Sequence, residues 1–273
     1  MKTVGMIVPS MDNSFFASLV HAISGVMNQK GYTVLACDSR NDAETEKGFY
    51  STLKEAGVSG VISVSGLSQI TEEVIPADMP AVWVDRVPQS ERKIPWAAND
   101  DEAAMKEATQ LLADKGCRNI LLLPGYLAEH QESPRVKGYK NGLAANGIEF
   151  REEFILNRKG TGTSESETEE LVMDLLRNGT KVDGIITSSD RAAFGAMKAL
   201  GKVGYYAPED VKLISFDNSP YSMMASPSIT AIDRRPAELA EKACELMLDL
   251  IAGKEVQTEN IIEVSLVERD STR

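Results

Sequence analysis

Short apolar segments alternate with longer amphipathic segments along most of the chain. The short segments predict strands at TVGMIV (3–8), TVLAC (33–37), GVISVS (60–65), PAVWV (80–84), NILLLP (119–124), FILN (154–157), DGIITS (183–188) and VKLISF (211–216). Strands that are apolar on both faces and are separated by helices are typical of parallel sheets covered by helices on both sides. The pattern therefore predicts an α/β protein built from doubly wound parallel sheets.

The first amphipathic segment shows the spacing of a helix with one apolar face. Residues at i, i+3, i+4, i+7 and i+11 share that face, and here they are Phe16, Leu19, Val20, Ile23 and Met27. Gly31 follows at the place where a left-handed glycine commonly ends a helix. Asp42 and Asp100 stand just before later helical segments, so we expect both to be N-terminal caps.

The two halves of the chain resemble one another. The similar pairs are VSGVISVSG (58–66) with VDGIITSSD (182–190), AVWVDR (81–86) with KLISFDN (212–218), and TVGMIVPS (3–10) with NILLLPG (119–125). Each pair holds the same ordinal place in its half, at an offset of roughly 120 residues, which favours two lobes of one design. We predict an N-terminal lobe of residues 1–98 plus about 234–258, and a C-terminal lobe of residues 99–233 plus about 259–273.

The end of the chain joins these lobes. SITAID predicts a connecting strand, the segment after it predicts a long helix, and NIIEVSLVERDST predicts a last strand that returns across both lobes.

Composition narrows the class of partner. The chain has 273 residues, of which 42% are hydrophobic and 26% charged, as in a globular protein with a sizeable core. It carries 29 Lys and Arg against 41 Asp and Glu, a net charge of −12. That sign disfavours binding of nucleic acid by this chain alone.

Cysteine usage and the first residues indicate the compartment. The three cysteines, Cys37, Cys117 and Cys244, are odd in number and have no CxxC spacing. We therefore expect reduced core thiols, no disulfide framework and no metal or other cofactor. The first residues lack the features of a signal peptide, and no apolar run is long enough to span a membrane. We expect a cytoplasmic protein without a membrane partner.

Polar residues follow nearly every predicted strand. In open parallel sheets, ligands bind beyond the carboxyl ends of the strands. The residues at those ends are Ser10, Asp12, Asn13, Asp38, Ser39, Ser65, Asp85, Arg86, Ser188, Ser189, Asp190, Asp217 and Asn218. Any one Asp, Ser or Asn is more often a helix cap than a ligand contact, but Arg86 and Arg135 are not capping residues.

These groups suit a polyhydroxylated ligand. Each sugar hydroxyl both donates and accepts a hydrogen bond, so carboxylates together with arginines can bind it, and aromatic rings pack against the apolar face of the sugar. Phe15, Phe16 and Trp83 are candidates for that ring. Phe16 lies on the apolar stripe of the first helix and favours the core, whereas Phe15 lies just off it and favours the pocket.

Patterns of catalysis are missing from the sequence. It contains no GxGxxG, GxxxxGK[ST], GxSxG or HExxH, and its histidines are His21 and His130, which lie far apart in the sequence. Asp85 and Asp217 together are compatible with glycoside hydrolysis only at a suitable separation. We expect a binding protein, not an enzyme.

Several blocks together resemble the effector-binding region of LacI/GalR-type transcriptional regulators, which share the type 1 periplasmic-binding-protein fold. The blocks are VGMIVPSMDNSFFASLVHAI, AVWVDR, NDDEAAMKEATQLLADKGCRNILLLPG, SPRVKGYKNGLAANGI, DGIITSSDRAAFGAMKALGKVGYYAPEDVKLISFDN and SITAIDRRPAELAEKACELML. The resemblance implies two lobes with a ligand cleft between them. It also implies closure on the effector, about connections near residues 97–100, 230–236 and 256–261.

The resemblance also implies the residues of the site. They are Asn13, Phe15, Asp85, Arg86, Arg135, Ser189, Asp217 and Arg234. Ser189 stands where the family commonly has Asn, and Arg234 stands where Gln is frequent, so the identity of the effector is open. The Asp85–Arg86 pair with a second arginine is similar to the pentose and hexose binders of this fold.

The function implied is that of a sugar-sensing regulator, homodimeric through the first two helices of the N-terminal lobe. Such regulators read operator DNA through a helix-turn-helix headpiece, which we expect to be absent from this chain because the sequence opens on the first strand. The alternative is a monomeric, exported sugar-binding protein of an importer. A glycosidase or nucleoside hydrolase is a third hypothesis, and it has little support.

Overall fold

The computed structural model describes residues 2–125, 133–157 and 165–273. The chain forms two α/β units, one made of Met1–Asn99 and Arg235–Glu263 and the other of Asp100–Arg234 and Val264–Arg273. The prediction of two parallel-sheet lobes of α/β class is confirmed. The last crossing between the units follows Glu263, later than the expected position near residue 258.

Strands and helices alternate along the described chain. The strands are β1 (Lys2–Val8), β2 (Tyr32–Asp38), β3 (Val61–Ser63), β4 (Gln69–Ile70), β5 (Ala81–Val84), β6 (Gln89–Ser90), β7 (Trp96–Asn99), β8 (Ile120–Leu123), β9 (Gly184–Thr187), β10 (Lys212–Phe216), β11 (Thr230–Asp233), β12 (Glu259–Ile262) and β13 (Ser265–Val267). The α-helices are α1 (Ser14–Gln29), α2 (Ala43–Glu55), α3 (Asp101–Asp114), α4 (Pro134–Ala145), α5 (Glu165–Arg177), α6 (Asp190–Lys202), α7 (Pro220–Met224) and α8 (Pro236–Ile251).

The first unit is built on a parallel sheet in the order β12-β7-β5-β3-β1-β2. Successive strand residues point to opposite faces, so Met6 and Ile62 pack with α1 and α8, whereas Ile7 and Trp83 pack with α2. Helices on both faces explain why these strands are apolar throughout. The short strands β4 and β6 form a separate parallel pair.

The second unit has the sheet order β13-β11-β10-β9-β8, in which only β13 is antiparallel to its neighbour among the described strands. Helices α3 and α4 cover one face and α5 and α6 cover the other. Each helix pair approaches closely at a glycine. A Cβ on Gly138 would lie 2.2 Å from the carbonyl oxygen of Glu102, and one on Gly195 would lie 2.2 Å from that of Glu165.

The local predictions for the first helix and the caps are confirmed. Helix α1 buries Phe16, Leu19, Ile23 and Met27, and Gly31 beyond its end has a φ of +80°. The Asp42 side chain accepts a hydrogen bond from the Thr45 amide at 2.7 Å. The Asp100 side chain accepts one from the Ala103 amide at 2.9 Å.

One strand prediction is wrong, and one strand was not predicted. Residues 154–157 do not form a strand, because Glu152–Phe154 is a 3₁₀ turn and only Ile155 makes a bridge, to Leu122. Phe154 instead packs into the core between the sheet and α5 and α6. Strand β7 was not predicted from the sequence, since WAAN contains no β-branched residue.

The predicted last strand is two strands. β12 pairs in parallel with β7 of the first unit, and β13 pairs antiparallel with β11 of the second. The chain thus crosses from one unit to the other between them, after Glu263. This pairing assigns Glu259–Ile262 to the first unit and corrects the predicted domain boundary.

Candidate functional site

The predicted site residues of the second unit collect at the carboxyl edge of its sheet. Ser189 follows β9, Asp217 follows β10 and Arg234 follows β11, while Arg135 lies in the first turn of α4. Because β9, β10 and β11 are parallel, their carboxyl ends share one edge. The side chains of this edge form the candidate site of the second unit.

Arg135 is held by three neighbours. Its Nε donates to Asp101 Oδ2 at 2.7 Å, and its Nη1 donates to the Ser188 carbonyl oxygen at 3.4 Å. The guanidinium carbon lies 4.2 Å from the centroid of the Phe216 ring, a cation–π distance. The side chain is 13% exposed. Its orientation is therefore set before any ligand arrives, and the remaining N–H groups of the guanidinium are available as donors.

Asp217 and Arg234 form a buried ion pair. Arg234 Nη1 lies 3.5 Å from Asp217 Oδ1, and the two side chains are 5% and 3% exposed respectively. Asp217 has a φ of +97°, and its amide donates to the Ile232 carbonyl oxygen at 3.0 Å. A left-handed backbone conformation costs free energy for a residue such as aspartate. It persists where the surrounding structure enforces it, and such residues cluster at functional sites. Arg234 supplies the opposite charge that a buried carboxylate requires.

Ser189 has a structural contact. Its Oγ accepts a hydrogen bond from the Ala192 amide at 3.3 Å and so caps α6. Its contact with an effector stays a prediction. Among the residues that the structure describes, the Oγ of the preceding Ser188 is buried and has no hydrogen-bond partner.

The neighbouring Asp190 is a structural brace within the second unit. It is fully buried and accepts hydrogen bonds from the Ser215 hydroxyl, the Ser219 amide at 2.7 Å and the Ser219 hydroxyl at 2.6 Å. Burial raises the pKa of Asp190, and these hydrogen bonds oppose the rise. The carboxylate joins the start of α6 to β10 and to the turn before α7.

The predicted residues of the first unit begin at the start of α1. Asn13 caps that helix, since its Oδ1 accepts from the amides of Phe15 at 2.9 Å and Phe16 at 3.4 Å. Both phenylalanines are buried in one core cluster, with ring centroids 5.6 Å apart. The structure thus does not separate the two rings as the sequence analysis did. Trp83 points to the opposite face of the sheet and is buried in the core, so its ring is not a ligand platform.

Asp85 and Arg86 follow β5 in a tight bend. Asp85 has a φ of +67°, and the Arg86 guanidinium carbon lies 5.3 Å from the centroid of the Phe16 ring. Asp85 and Asp217 thus occupy equivalent places in the two units, each with left-handed backbone just beyond a buried strand. The segments AVWVDR and KLISFDN are therefore similar in backbone conformation as well as in sequence.

Glu46 is a buried acidic residue that the sequence analysis missed. Its carboxylate accepts from the Ser65 hydroxyl at 2.5 Å, the Gly66 amide at 2.8 Å and the Tyr50 hydroxyl at 3.4 Å. Burial raises the pKa of Glu46, while these hydrogen bonds and the nearby charge of Arg86 oppose the rise. The segment AETEKGFY is rich in charge and resembles a solvated face. The available signal was that Glu46, Tyr50 and Leu53 share the buried i, i+4, i+7 face of α2.

We expect Glu46 to give the protein an unusual dependence on pH. Because its folded pKa is raised above the unfolded value near 4.5, the folded state binds this proton more tightly, and the contribution of Glu46 to stability grows as pH falls through the folded pKa. The free energy of unfolding of the wild type should therefore rise relative to that of Glu46→Gln between pH 7.5 and pH 4.5.

Urea denaturation at several pH values measures this difference. Glu44→Gln is the matched control, because it removes a carboxylate from an exposed position of the same helix. A difference between wild type and Glu46→Gln that stays constant with pH would contradict the assignment.

The described ranges 2–125, 133–157 and 165–273 contain neither a metal-binding cluster nor a membrane-spanning helix. No group of three or more His, Cys, Asp and Glu side chains there is arranged to hold a metal ion. No helix there combines the length and the apolar character needed to span a bilayer. Of the two histidines, His21 is exposed on α1, and His130 lies outside the described residues.

The chain is similar in sequence to a known protein family and to curated repressors. The family of periplasmic binding proteins and the sugar-binding domain of the LacI family matches residues 1–270. The chain is 28% identical to the ribose operon repressor of Halalkalibacterium halodurans, covering 99% of this chain and 79% of that protein. It is also 28% identical to catabolite control protein A of Priestia megaterium, covering 96% of this chain and 78% of that protein.

Solved structures are similar over the whole chain. A periplasmic binding protein/LacI transcriptional regulator from Alkaliphilus metalliredigens, complexed with D-xylulofuranose, is 30% identical with a TM-score of 0.87, and the match covers 100% of both chains. The transcription regulator CcpA of Lactococcus lactis is 25% identical with a TM-score of 0.89, again over 100% of both chains.

Proposed function

We propose that this chain, which belongs to the family of periplasmic binding proteins and LacI-type sugar-binding domains, binds a pentose or a hexose as its effector. The chain is the effector-binding region of a LacI-type transcriptional regulator. The observation that carries the proposal is the polar edge of the second unit. There Arg135 is fixed between Asp101 and Phe216, and Asp217 is paired with Arg234. These are charged groups of both signs, held in place and largely buried.

The chemistry of this edge matches that of a sugar. A sugar hydroxyl both donates and accepts, so it can bond to the guanidinium of Arg135 and to the carboxylate of Asp217. A pentose is supported further by two relatives: one is named for the ribose operon, and another was solved with D-xylulofuranose. Asn13, Phe15, Asp85, Arg86 and Ser189 remain proposed contacts of the same effector.

A thermal-shift screen tests the proposed effector class. The compounds are pentoses, hexoses, their phosphates and purine bases, each added to the wild-type chain. A ligand present at 100 times its dissociation constant should stabilise the folded protein by about 2.7 kcal/mol, which raises the melting temperature measurably. Stabilisation by purine bases alone, or by none of the compounds, would contradict a sugar effector.

The remaining parts of the proposed function concern the binding partners of the protein and its cellular compartment. We propose a homodimer with contacts from α1 and α2. We also propose control of operator DNA through a helix-turn-helix headpiece, action in the cytoplasm, and no catalytic step. Light scattering at tens of micromolar measures the oligomeric state, and a monomer there would count against the dimer.

A further inference from the structure

The hydroxyl of Ser188 lies at the carboxyl edge of β9 and is a buried side-chain group that the described fold does not satisfy. Ser188 is 7% exposed, and its Oγ makes no hydrogen bond within the described residues. The hydroxyl groups of the two adjacent residues do form hydrogen bonds. Thr187 Oγ1 donates to the Ser189 carbonyl oxygen at 3.1 Å, and Ser189 Oγ caps α6. A buried hydroxyl without a partner is costly and requires an explanation.

This hydroxyl lies beside a fixed arginine and close to the backbone of a glycine. The Ser188 carbonyl oxygen accepts from Arg135 Nη1, which places Ser188 directly beside the fixed guanidinium. At Gly125, just beyond β8, an added Cβ would lie 2.8 Å from Ser188 Cβ and 3.0 Å from its Oγ. Gly125 also has a φ of +87°. The glycine therefore keeps side-chain atoms away from the hydroxyl.

A second orphan hydroxyl in the same unit gives the contrast. Thr168 Oγ1 is also buried without a hydrogen-bond partner among the described residues. It lies on α5 where a Cβ on Gly195 of α6 would come within 2.9 Å of Thr168 Cβ, so close packing of two helices accounts for its burial.

We propose that Ser188 Oγ hydrogen-bonds a hydroxyl of a pentose effector held by Arg135. The inference rests on the proposed function. The hydroxyl can donate or accept, so it pairs with a sugar hydroxyl in either sense. The effector hydroxyl then supplies the partner that the described residues do not provide.

The test compares Ser188→Ala with Thr168→Val by calorimetry, using D-ribose and D-xylulose as probes. Ser188→Ala should bind the recognised pentose roughly tenfold more weakly than wild type, since a ligand hydroxyl loses its partner. Thr168→Val should bind with wild-type affinity. Neither substitution should lower the melting temperature of the protein measured without sugar, because each removes a hydroxyl that has no hydrogen-bond partner among the described residues.

Each other outcome overturns the inference. Wild-type affinity in Ser188→Ala removes Ser188 from the site and leaves the proposed function intact. A marked loss of stability in Ser188→Ala would mean that the hydroxyl has a structural partner. Binding of a hexose, but of neither pentose, by the wild type rejects the pentose contact while a sugar effector stands. Binding of no sugar in the wider screen rejects the inference and the proposed function together.

Discussion

Replacement of Arg135 by alanine is expected to weaken effector binding by about 2 to 5 kcal/mol while the second unit remains folded. Arg135 is fixed by Asp101 and by the ring of Phe216, and most of its side chain is buried. A charged donor in such a position binds a ligand without first losing conformational freedom. Truncation removes the donors and also leaves the effector groups without partners in a poorly hydrated place.

Calorimetry with the sugar identified by the screen measures this loss. Arg191→Ala is the matched control, because Arg191 holds the same second position of α6 that Arg135 holds in α4, but is exposed. Circular dichroism monitors the fold of both variants. Near-normal affinity in a well-folded Arg135→Ala protein would exclude Arg135 from the site.

Replacement of Asp190 by alanine is expected to lower the free energy of unfolding by about 3 to 5 kcal/mol, because three buried donors lose their acceptor at once. Two of these donors belong to Ser219 and the third to Ser215. Both serines are buried, so bulk solvent has little access to these donors. The turn between β10 and α7 should loosen first.

Chemical denaturation followed by far-ultraviolet circular dichroism measures the effect. Asp190→Asn keeps the shape and one acceptor oxygen, and should lose less stability than the alanine variant. Asp174→Ala removes an exposed carboxylate from α5 of the same unit and serves as the control for charge. A loss for Asp190→Ala no larger than that for Asp174→Ala would contradict the role of Asp190 as a brace.

The fold was predictable because strands of a parallel sheet that is covered on both faces appear in the sequence as short, continuous apolar runs. GVISVS and DGIITS are apolar on both faces, and both are strands of doubly covered sheets. FILN is just as apolar, yet Phe154 fills the core from a 3₁₀ turn, because an apolar run of four residues can be buried without pairing in a ladder.

The site was predictable in part, through residues whose chemistry is unusual at a strand end. Arg135 and Asp217 stand out from the capping residues around them, and both lie at the polar edge of the second unit. The sequence does not show which of Ser188 and Ser189 caps α6 and which keeps a hydroxyl without a partner. That difference depends on the residue at which α6 begins, and the structure places Ser189 at the cap. Glu46 was hidden by the charged residues that flank it on α2.

The position of β12 and β13 in the chain has a consequence for biosynthesis. β12 is an outer strand of the first sheet and β13 an outer strand of the second, although they are consecutive in sequence. At ribosomal rates of roughly 5–20 residues per second, the interval between the synthesis of β7 and the synthesis of β12 is on the order of 10 to 30 s. During that interval the β7 edge of the first sheet is open to pairing with another nascent chain. The first sheet cannot be completed until residue 262 has been synthesised, nor the second until residue 267, so the two units of the regulator reach their final form within a few residues of one another.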